Sequence, residues 1–251
     1  MFDLVDIHCH TLFNVDDGAK DENTMKSMID TAYNDGVRTI CFTPHFKIYE
    51  FDTEEDFTNY NESIRSSFEV AKLYVKEKFP DMELYLGNEV MYHSDILDSI
   101  KNGFCMSLNS GSFVLVEFPP HVTTFDLINS ISRILRTGYR PIIAHIERYN
   151  VLIKNPEIVS ELRNMGALTQ MNARAILRFK FGKIARFIKR VLKSKQVDVV
   201  ASDAHDDVVF SQQLSKAMLR VCKFYGEKYA QKIFSSTPKS ILHIKKFSEN
   251  Q

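Results

Sequence analysis

Short apolar runs alternate with longer segments of helical periodicity along the whole chain. The runs are continuously apolar rather than alternating with polar residues, which is typical of strands that are buried on both faces of a parallel sheet. We predict seven such strands, at residues 4–8, 38–43, 82–86, 113–118, 141–145, 167–171 and 197–201.

The segments between these strands have the apolar spacing of amphipathic helices. We predict helices at residues 23–34, 54–78, 94–101, 124–136, 156–164 and 181–195, with a further one at 211–224. Strand and helix in repeated alternation indicate βαβ units and an α/β fold. We expect residues 1–251 to form a single domain, a slightly irregular seven-stranded barrel, with an open doubly wound sheet as the alternative.

Charge and cysteine content narrow the class of protein. The 32 basic residues balance the 32 acidic ones, so the chain lacks the basic surplus of a nucleic-acid-binding protein. Asp3 and Asp6 occupy the region where a secretory signal needs an apolar run, and no stretch is long and apolar enough to enter a membrane. The four cysteines show no paired spacing. These features predict a cytoplasmic protein with reduced thiols.

Residues that commonly bind metals follow the predicted strands. In a parallel barrel the carboxyl ends of all strands meet on one face, so side chains far apart in sequence can converge there. The nine candidates are His8, His10, Asp17, His45, Glu89, Glu117, His145, Asp203 and His205. Imidazole and carboxylate ligands without thiolate suit Mn²⁺, Fe or Zn²⁺.

Some of these motifs have simpler explanations when they are taken alone. His8 and His10 could be an ordinary surface or core pair, although residues two apart on a strand point to one face and can reach one ion. Ser202 or Asp203 could cap a following helix. Glu89 and Glu117 are harder to explain without a metal, because a carboxylate at the end of an apolar strand needs a compensating charge.

Taken together, the motifs resemble the polymerase and histidinol phosphatase (PHP) superfamily. More narrowly, they resemble the bacterial manganese-dependent protein-tyrosine phosphatases that are encoded with capsule or exopolysaccharide genes. The matching segments occur in the same order over essentially the whole chain. They are Asp6-Ile-His-Cys-His10, Val15-Asp-Asp-Gly18, Thr43-Pro-His45, Gly87-Asn-Glu89, Ser107-Leu-Asn109, Val116-Glu-Phe-Pro119, Gly138-Tyr-Arg-Pro141, Ala144-His-Ile-Glu-Arg-Tyr149 and Ala201-Ser-Asp-Ala-His205.

The resemblance implies a distorted (β/α)7 barrel of PHP type that binds two or three ions, with Mn²⁺ as the leading candidate. By this resemblance, His8, His10, Glu89 and Asp203 bind the first ion, Asp17, His45 and His205 the second, and Glu89, Glu117 and His145 the third. Cys9 lies between two of these ligands, but strand alternation turns it away from them. We therefore expect Cys9 to pack inside the barrel.

The resemblance also implies a metal-dependent phosphomonoester hydrolase. Clustered cations would activate water, so that metal-bound hydroxide attacks phosphorus while the cations neutralise the transferring oxygens. Arg148 is the predicted phosphate-binding residue, because its planar guanidinium suits two phosphoryl oxygens. The alternative for Arg148 is a surface ion pair with Glu147.

The chain departs from the family pattern in two places. Relatives carry an arginine a few residues beyond the Asp-x-His motif as a second phosphate contact, whereas residues 206–213 here contain Asp206 and Asp207 and no basic residue. Ile146 stands where the family usually has proline. Lys47 and Arg174 are candidates to replace the missing contact.

Three functions remain after the sequence is considered alone. The first is a phosphatase of the phosphotyrosine-containing tail of a bacterial tyrosine kinase that controls capsular or exopolysaccharide synthesis. The second is a small-molecule phosphomonoesterase of the histidinol-phosphatase kind, and the third is a non-catalytic metal-stabilised interaction protein. A cysteine-dependent tyrosine phosphatase is excluded, because no cysteine is followed six positions later by arginine.

One further segment has two interpretations. In residues 181–195 an apolar stripe from Phe181 to Leu192 lies beside six basic residues. Such a helix could bind an anionic membrane or an acidic partner. We favour a barrel helix whose basic side chains lie in solvent.

Overall fold

The strands of the protein form a ring around one apolar interior, as a computed structural model of residues 2–208 and 213–244 describes it. The strands, in chain order, are β1 (Leu4–Asp6), β2 (Val37–Phe42), β3 (His45–Phe46), β4 (Glu83–Leu86), β5 (Glu89–Met91), β6 (Phe113–Glu117), β7 (Arg140–Ile143), β8 (Leu168–Asn172) and β9 (Val199–Ala201). All seven predicted strands are present. The two additional ones, β3 and β5, are short continuations of β2 and β4.

Every strand pair is parallel, which agrees with the continuously apolar runs. One sheet has the order β1-β2-β4 and the other the order β3-β5-β6-β7-β8-β9. Because β2 leads into β3 and β4 into β5 after two residues each, the two sheets are parts of one curved surface. The expected seven-position barrel is therefore confirmed, and the open doubly wound sheet is wrong.

The first and last strands meet and complete the ring. Beyond β9, the Asp203 main-chain N–H donates to His8 O at 2.8 Å, and His10 N–H donates to Ala204 O at 2.8 Å. Deeper in the same junction, Asp6 accepts hydrogen bonds from the main-chain N–H and the hydroxyl of Ser202. Two of the sequence segments richest in candidate ligands thus lie side by side.

Helices cover the outside of the ring. Their bounds are α1 Glu22–Asn34, α2 Glu54–Lys78, α3 Ile96–Lys101, α4 Thr124–Arg136, α5 Asn150–Lys154, α6 Glu157–Met165, α7 Ala173–Arg178, α8 Gly182–Lys193, α9 Leu214–Tyr225, α10 Glu227–Gln231 and α11 Thr237–His243. A π-helical turn, Lys232–Ser236, joins the last two. The helix predicted at residues 211–224 is α9, and its first predicted turn falls partly outside the described residues. Among the described residues, no helix is both long and apolar enough to cross a membrane.

The start and packing of two helices follow directly from their sequences. Thr53 and Asp56 form a reciprocal capping box that begins α2 at the predicted residue. In α8 the side chains of Phe187, Ile188, Val191 and Leu192 are buried against the ring, as expected for a barrel helix. The prediction for Phe181 is wrong, because this side chain is 89% exposed at the position just before the helix.

Candidate metal centre

The nine predicted ligands converge at the carboxyl end of the strands. Their donor atoms form three overlapping groups in which every pair of atoms lies within 4.8 Å. The groups are His8, His10, Glu89 and Asp203; His10, Asp17, His45 and His205; and His45, Glu89 and Glu117. His145 joins the same cluster, because its Nε2 lies 2.9 Å from Glu89 Oε1 and 3.2 Å from Glu117 Oε1. How the nine residues divide among separate ions stays a prediction.

Glu89 lies at the middle of the cluster, with imidazole rings on several sides of it. It begins β5 directly after Gly87-Asn88, and its side chain is completely buried. His8 Nε2 lies 3.2 Å from Oε1, His10 Nε2 lies 3.3 Å from Oε2, and His45 Nδ1 lies 3.0 Å from Oε2. Burial alone would raise the pKa of Glu89, but the neighbouring histidines outweigh it and hold the pKa well below its ordinary value.

Two of the candidate metal-binding atoms in this cluster lack a hydrogen bond. His45 Nδ1 and Glu89 Oε2 are both buried, and neither has a hydrogen-bond partner in the part of the chain that the structure describes. They lie 3.0 Å apart without the geometry of a hydrogen bond. Buried polar atoms without a partner are costly in a protein interior. A cation between them would satisfy both atoms, so the residues present fit a metal centre.

The charge of the site also favours cations. Its four carboxylates face five imidazoles. Burial would lower the pKa of His145, but hydrogen bonds to Glu117 and Glu89 raise it to about 9. Burial is also the largest single effect on His10 and would lower its pKa. Hydrogen bonds with Asp16, Asp203 and Glu89 together outweigh burial and raise the pKa of His10 well above its ordinary value. Metal cations would take the place of these protons.

Residues behind the ligands hold the imidazoles in one orientation. Asp16 Oδ2 lies 2.7 Å from His10 Nδ1, Gln170 Oε1 lies 3.2 Å from His8 Nδ1, and the Asp203 carbonyl lies 3.0 Å from His205 Nδ1. A hydrogen bond at Nδ1 leaves the lone pair of Nε2 for a metal. Sequence reasoning missed Asp16 and Gln170. The available signals were the double acid Asp16-Asp17 and a glutamine inside the otherwise apolar strand β8.

Asp203 presents its two oxygens to different partners. Oδ1 lies 3.3 Å from His8 Nε2 and 3.5 Å from His10 Nε2, facing the cluster. Oδ2 accepts hydrogen bonds from Asn172 Nδ2 at 2.6 Å and from an Arg148 guanidinium nitrogen at 2.5 Å. Asp203 therefore has one oxygen free to bind a metal while the other fixes Arg148 beside the cluster.

Close packing of the backbone brings Asp17 to the site. Asp17 Oδ1 lies 3.5 Å from both His45 Nε2 and His205 Nε2. The next residue, Gly18, lies so close to His10 that a Cβ atom added to it would stand 1.8 Å from the His10 carbonyl oxygen. Only glycine can therefore follow Asp17 in this arrangement. At two other ligands, His145 and Asp203, the backbone φ angles are +30° and +54°, an unusual conformation for these residue types.

The structure decides two of the alternatives that the sequence left open. Ser202 does not cap a helix: its hydroxyl donates to Asp6, and the next helix in the described chain begins only at Leu214. Glu147 is 4% exposed and Arg148 pairs with Asp203 instead, so the alternative of a surface ion pair between Arg148 and Glu147 is wrong. Cys9 is fully buried in the apolar core and belongs to none of the three ligand groups, as expected.

A cavity of about 770 Å³ opens over the cluster. Its wall includes the ligands Asp17, His45, Glu117 and His205, together with Arg148. The Arg148 side chain is 43% exposed, and a guanidinium nitrogen lies 3.9 Å from Glu117 Oε1. Arg148 thus stands at the border between buried ligands and open cavity.

Further cations stand at the wall of this cavity. Lys47 lines it, with Nζ 3.2 Å from Glu50 Oε1, and Lys20 lines it as well. The candidate Arg174 instead lines a neighbouring cavity. Asp206 and Asp207, the two acids that follow the Asp-x-His motif, also line this wall, and residues 209–212 of that segment lie outside the described residues.

Comparison with known proteins agrees with this architecture. The sequence model of the family described as capsular polysaccharide synthesis, CpsB/CapC, matches residues 4–243. The tyrosine-protein phosphatase CpsB of Streptococcus agalactiae serotype V is 36% identical over 244 residues, which cover 95% of this chain and 98% of that protein. The enzyme of the same name from Streptococcus pneumoniae is 34% identical over 244 residues, with 95% and 98% covered.

A solved structure is similar over nearly the whole fold. It belongs to the crystal structures of YwqE from Bacillus subtilis and CpsB from Streptococcus pneumoniae, described as unique metal-dependent tyrosine phosphatases. The TM-score is 0.84 at 25% sequence identity, with 96% of this chain and 95% of that chain covered. The fold is therefore shared with proteins that are described as metal-dependent tyrosine phosphatases.

Proposed function

The chain belongs to the CpsB/CapC family of capsular polysaccharide synthesis, and on that premise we propose that it is a metal-dependent protein-tyrosine phosphatase. The observation that carries the proposal is the cluster of nine nitrogen and oxygen ligands around buried Glu89, beneath an open cavity that is bordered by Arg148. A phosphomonoester hydrolase needs both a cation centre and a place for an anionic ester, and these two features stand side by side.

The metal ligands of the proposal are the nine residues predicted from the sequence. These residues would hold divalent ions, and such ions would lower the pKa of a coordinated water and neutralise phosphoryl oxygens. The protein's own contribution is orientation. Asp16 and Gln170 fix the Nε2 atoms of His10 and His8 toward the centre, and Glu89 offers two oxygens to different neighbours, as a bridging ligand must.

Arg148 is the proposed phosphate-binding residue. Asp203 Oδ2 holds its guanidinium at 2.5 Å, so the side chain is positioned before substrate arrives. Its exposed part faces the cavity, where a phosphoryl group bound at the centre lies within its reach. Lys47 is the candidate for the second phosphate contact, because it shares the cavity with Arg148, whereas Arg174 does not line it.

The finer parts of the proposal concern metal, partner and compartment. Mn²⁺ is the leading candidate because the ligand set contains oxygen and imidazole nitrogen and no thiolate, a chemistry that Fe and Zn²⁺ share. The proposed substrate is the phosphotyrosine-containing tail of a bacterial tyrosine kinase that controls capsular or exopolysaccharide synthesis. The cytoplasm is the proposed compartment, a choice that four free cysteines support.

The test compares two substrates on protein whose metal has been removed and then restored. We expect kcat/KM for a phosphotyrosine peptide to exceed that for histidinol phosphate by at least tenfold, because the wide cavity suits a residue on a chain. Glu89→Gln serves as the inactive control, since it removes the central charge with little change in shape. A preference for histidinol phosphate would identify a small-molecule phosphomonoesterase. Hydrolysis of neither substrate at full metal occupancy would favour a non-catalytic protein.

A further inference from the structure

A second cavity adjoins the one above the metal centre. It has a volume of about 400 Å³, and Arg148 lines both cavities. Part of its wall is apolar, with Ile153, Phe179 and Ile184. Asp203, one of the predicted ligands, lines this cavity as well, so the cavity begins directly beside the metal centre.

A third cavity extends the same path along the surface. It measures about 360 Å³, and it shares Phe179 with the second cavity. Its apolar wall lies between α8 and the end of α9 and includes Phe224, whose side chain is 63% exposed. The three cavities therefore form a row that leads away from the metal centre, with Arg148 at the first junction and Phe179 at the second.

The accessible charged side chains along the second and third cavities are basic. Arg174 and Arg178 line the second cavity, and Lys189, Lys193 and Arg220 line the third. The acids at these walls, Glu147 and Asp203, are both 4% exposed. Asp203 is moreover bound to Arg148. The accessible charge of the path is thus positive, although the chain as a whole is neutral.

A buried polar atom in the second cavity lacks a partner. Glu147 lines this cavity, and its Oε2 has no hydrogen-bond partner within residues 2–208 and 213–244. Its other oxygen accepts a hydrogen bond from the Asn172 main-chain N–H at 3.1 Å. The second cavity therefore has an unsatisfied polar acceptor just behind its wall.

We propose that the second and third cavities form a docking path for the polypeptide on one side of the phosphotyrosine, and that this path selects acidic residues. The inference rests on the proposed phosphatase function and specifies the substrate class. The occupant is an extended chain because the path continues from the reaction centre. Apolar walls with basic edges bind the stem of an acidic side chain and its carboxylate together.

The experiment uses phosphotyrosine peptides that differ only beside the phosphorylated residue. One peptide carries three glutamates on its amino-terminal side, a second carries them on its carboxyl-terminal side, and a third has glutamine at all these positions. Kinetics are measured on the metal-loaded wild type and on Arg178→Gln/Lys189→Gln. The matched control is Lys183→Gln/Arg186→Gln, which removes two exposed charges next to the path that line neither cavity. p-Nitrophenyl phosphate reports the metal centre alone, because it has no flanking chain.

We expect one of the two acidic peptides to have a lower KM than the glutamine peptide. Arg178→Gln/Lys189→Gln should raise KM for that peptide by roughly twofold to thirtyfold, the combined range of two exposed ion pairs, without changing p-nitrophenyl phosphate hydrolysis. Equal KM values for all three peptides in the wild type would overturn the docking path while leaving the phosphatase intact. An equal loss in Lys183→Gln/Arg186→Gln would also overturn it, because the effect would then be general surface attraction. If the metal-loaded wild type does not hydrolyse p-nitrophenyl phosphate at all, the proposed function is refuted instead.

Discussion

Replacing Asp16 by asparagine should weaken metal binding, although Asp16 is not one of the nine predicted ligands. Asp16 Oδ2 accepts hydrogen bonds from His10 Nδ1 at 2.7 Å and from the His45 main-chain N–H at 3.0 Å, and Oδ1 accepts one from Gly18 N–H at 3.0 Å. Burial alone would raise the pKa of Asp16, but the hydrogen bond with His10 and the charge of that ring lower it to about 2. The carboxylate is therefore charged at every pH at which the enzyme is assayed.

The size of the effect follows from the number of acceptors. An asparagine has one oxygen, so it can serve either the Oδ2 pair or Gly18, while its NH₂ group faces the other donor. Placing an N–H against an N–H costs about 1–3 kcal/mol in a buried site. If the oxygen stays near His10, the loop that carries Asp17 is destabilised; if it does not, the His10 ring loses its orientation. Loss of such a supporting residue typically lowers metal affinity by about 10–100-fold.

Competition with a chelator of known affinity measures this change directly, with elemental analysis as the check on occupancy. Asp98→Asn on α3 is the matched control, because it removes an exposed carboxylate whose nearest ion pair, with Lys101, is 3.9 Å long. Activity of Asp16→Asn should return at saturating metal. Unchanged metal affinity together with an unchanged midpoint of thermal unfolding would refute the idea that Asp16 orients His10.

Three further predictions concern the same centre. Arg148→Ala should keep its metal and lose about one to three orders of magnitude in kcat/KM on a phosphotyrosine peptide. Wild-type kinetics at matched metal occupancy would mean that phosphate binds elsewhere. Lys47→Ala should show a comparable loss only if Lys47 supplies the second phosphate contact. Gly18→Ala should lower both metal content and thermal stability, because its Cβ would meet the His10 carbonyl oxygen at 1.8 Å, whereas Gly103→Ala, with nothing within 4 Å, should keep its metal. Exhaustive chelation should abolish turnover and added Mn²⁺ should restore it; full activity in protein shown by elemental analysis to be metal-free would contradict the metal centre.

The barrel and most of the nine converging side chains could be predicted because strand position determines them, whereas Asp17 lies in the loop after β1 and was predicted from the family resemblance. A ligand that follows a parallel strand reaches the common face wherever it lies in the chain, so Glu89 and His145 meet at 2.9 Å across 56 positions of sequence. The motifs that carry the family resemblance then indicated which kind of barrel to expect. Neither step required knowledge of side-chain contacts.

The supporting residues could not be predicted, because their roles depend on which side chain faces which. Gln170 looks like an irregularity within β8 until its amide oxygen is found 2.6 Å from the His145 main-chain nitrogen. Asp203 was predicted to be a ligand, but the contact between its second oxygen and Arg148 becomes visible only in three dimensions. The prediction for Phe181 was wrong for a related reason. Helical periodicity shows which face of a helix is apolar, but it does not show at which residue the buried part of that face ends.

The junction between the first and last strands has a consequence for the order of folding. Asp6 and Ser202 lie 196 positions apart, so β1, which pairs with β2 on one side, finds its other neighbour, β9, only when nearly all of the described chain is available. Contacts of such long range form late, after their loop-closure entropy has been offset by other contacts. His8 and His10 approach this junction from one side and Asp203 from the other. A metal ion held by all three would link the first and last strands of the barrel, so chelation should speed the separation of β1 from β9 before it affects any helix on the outside.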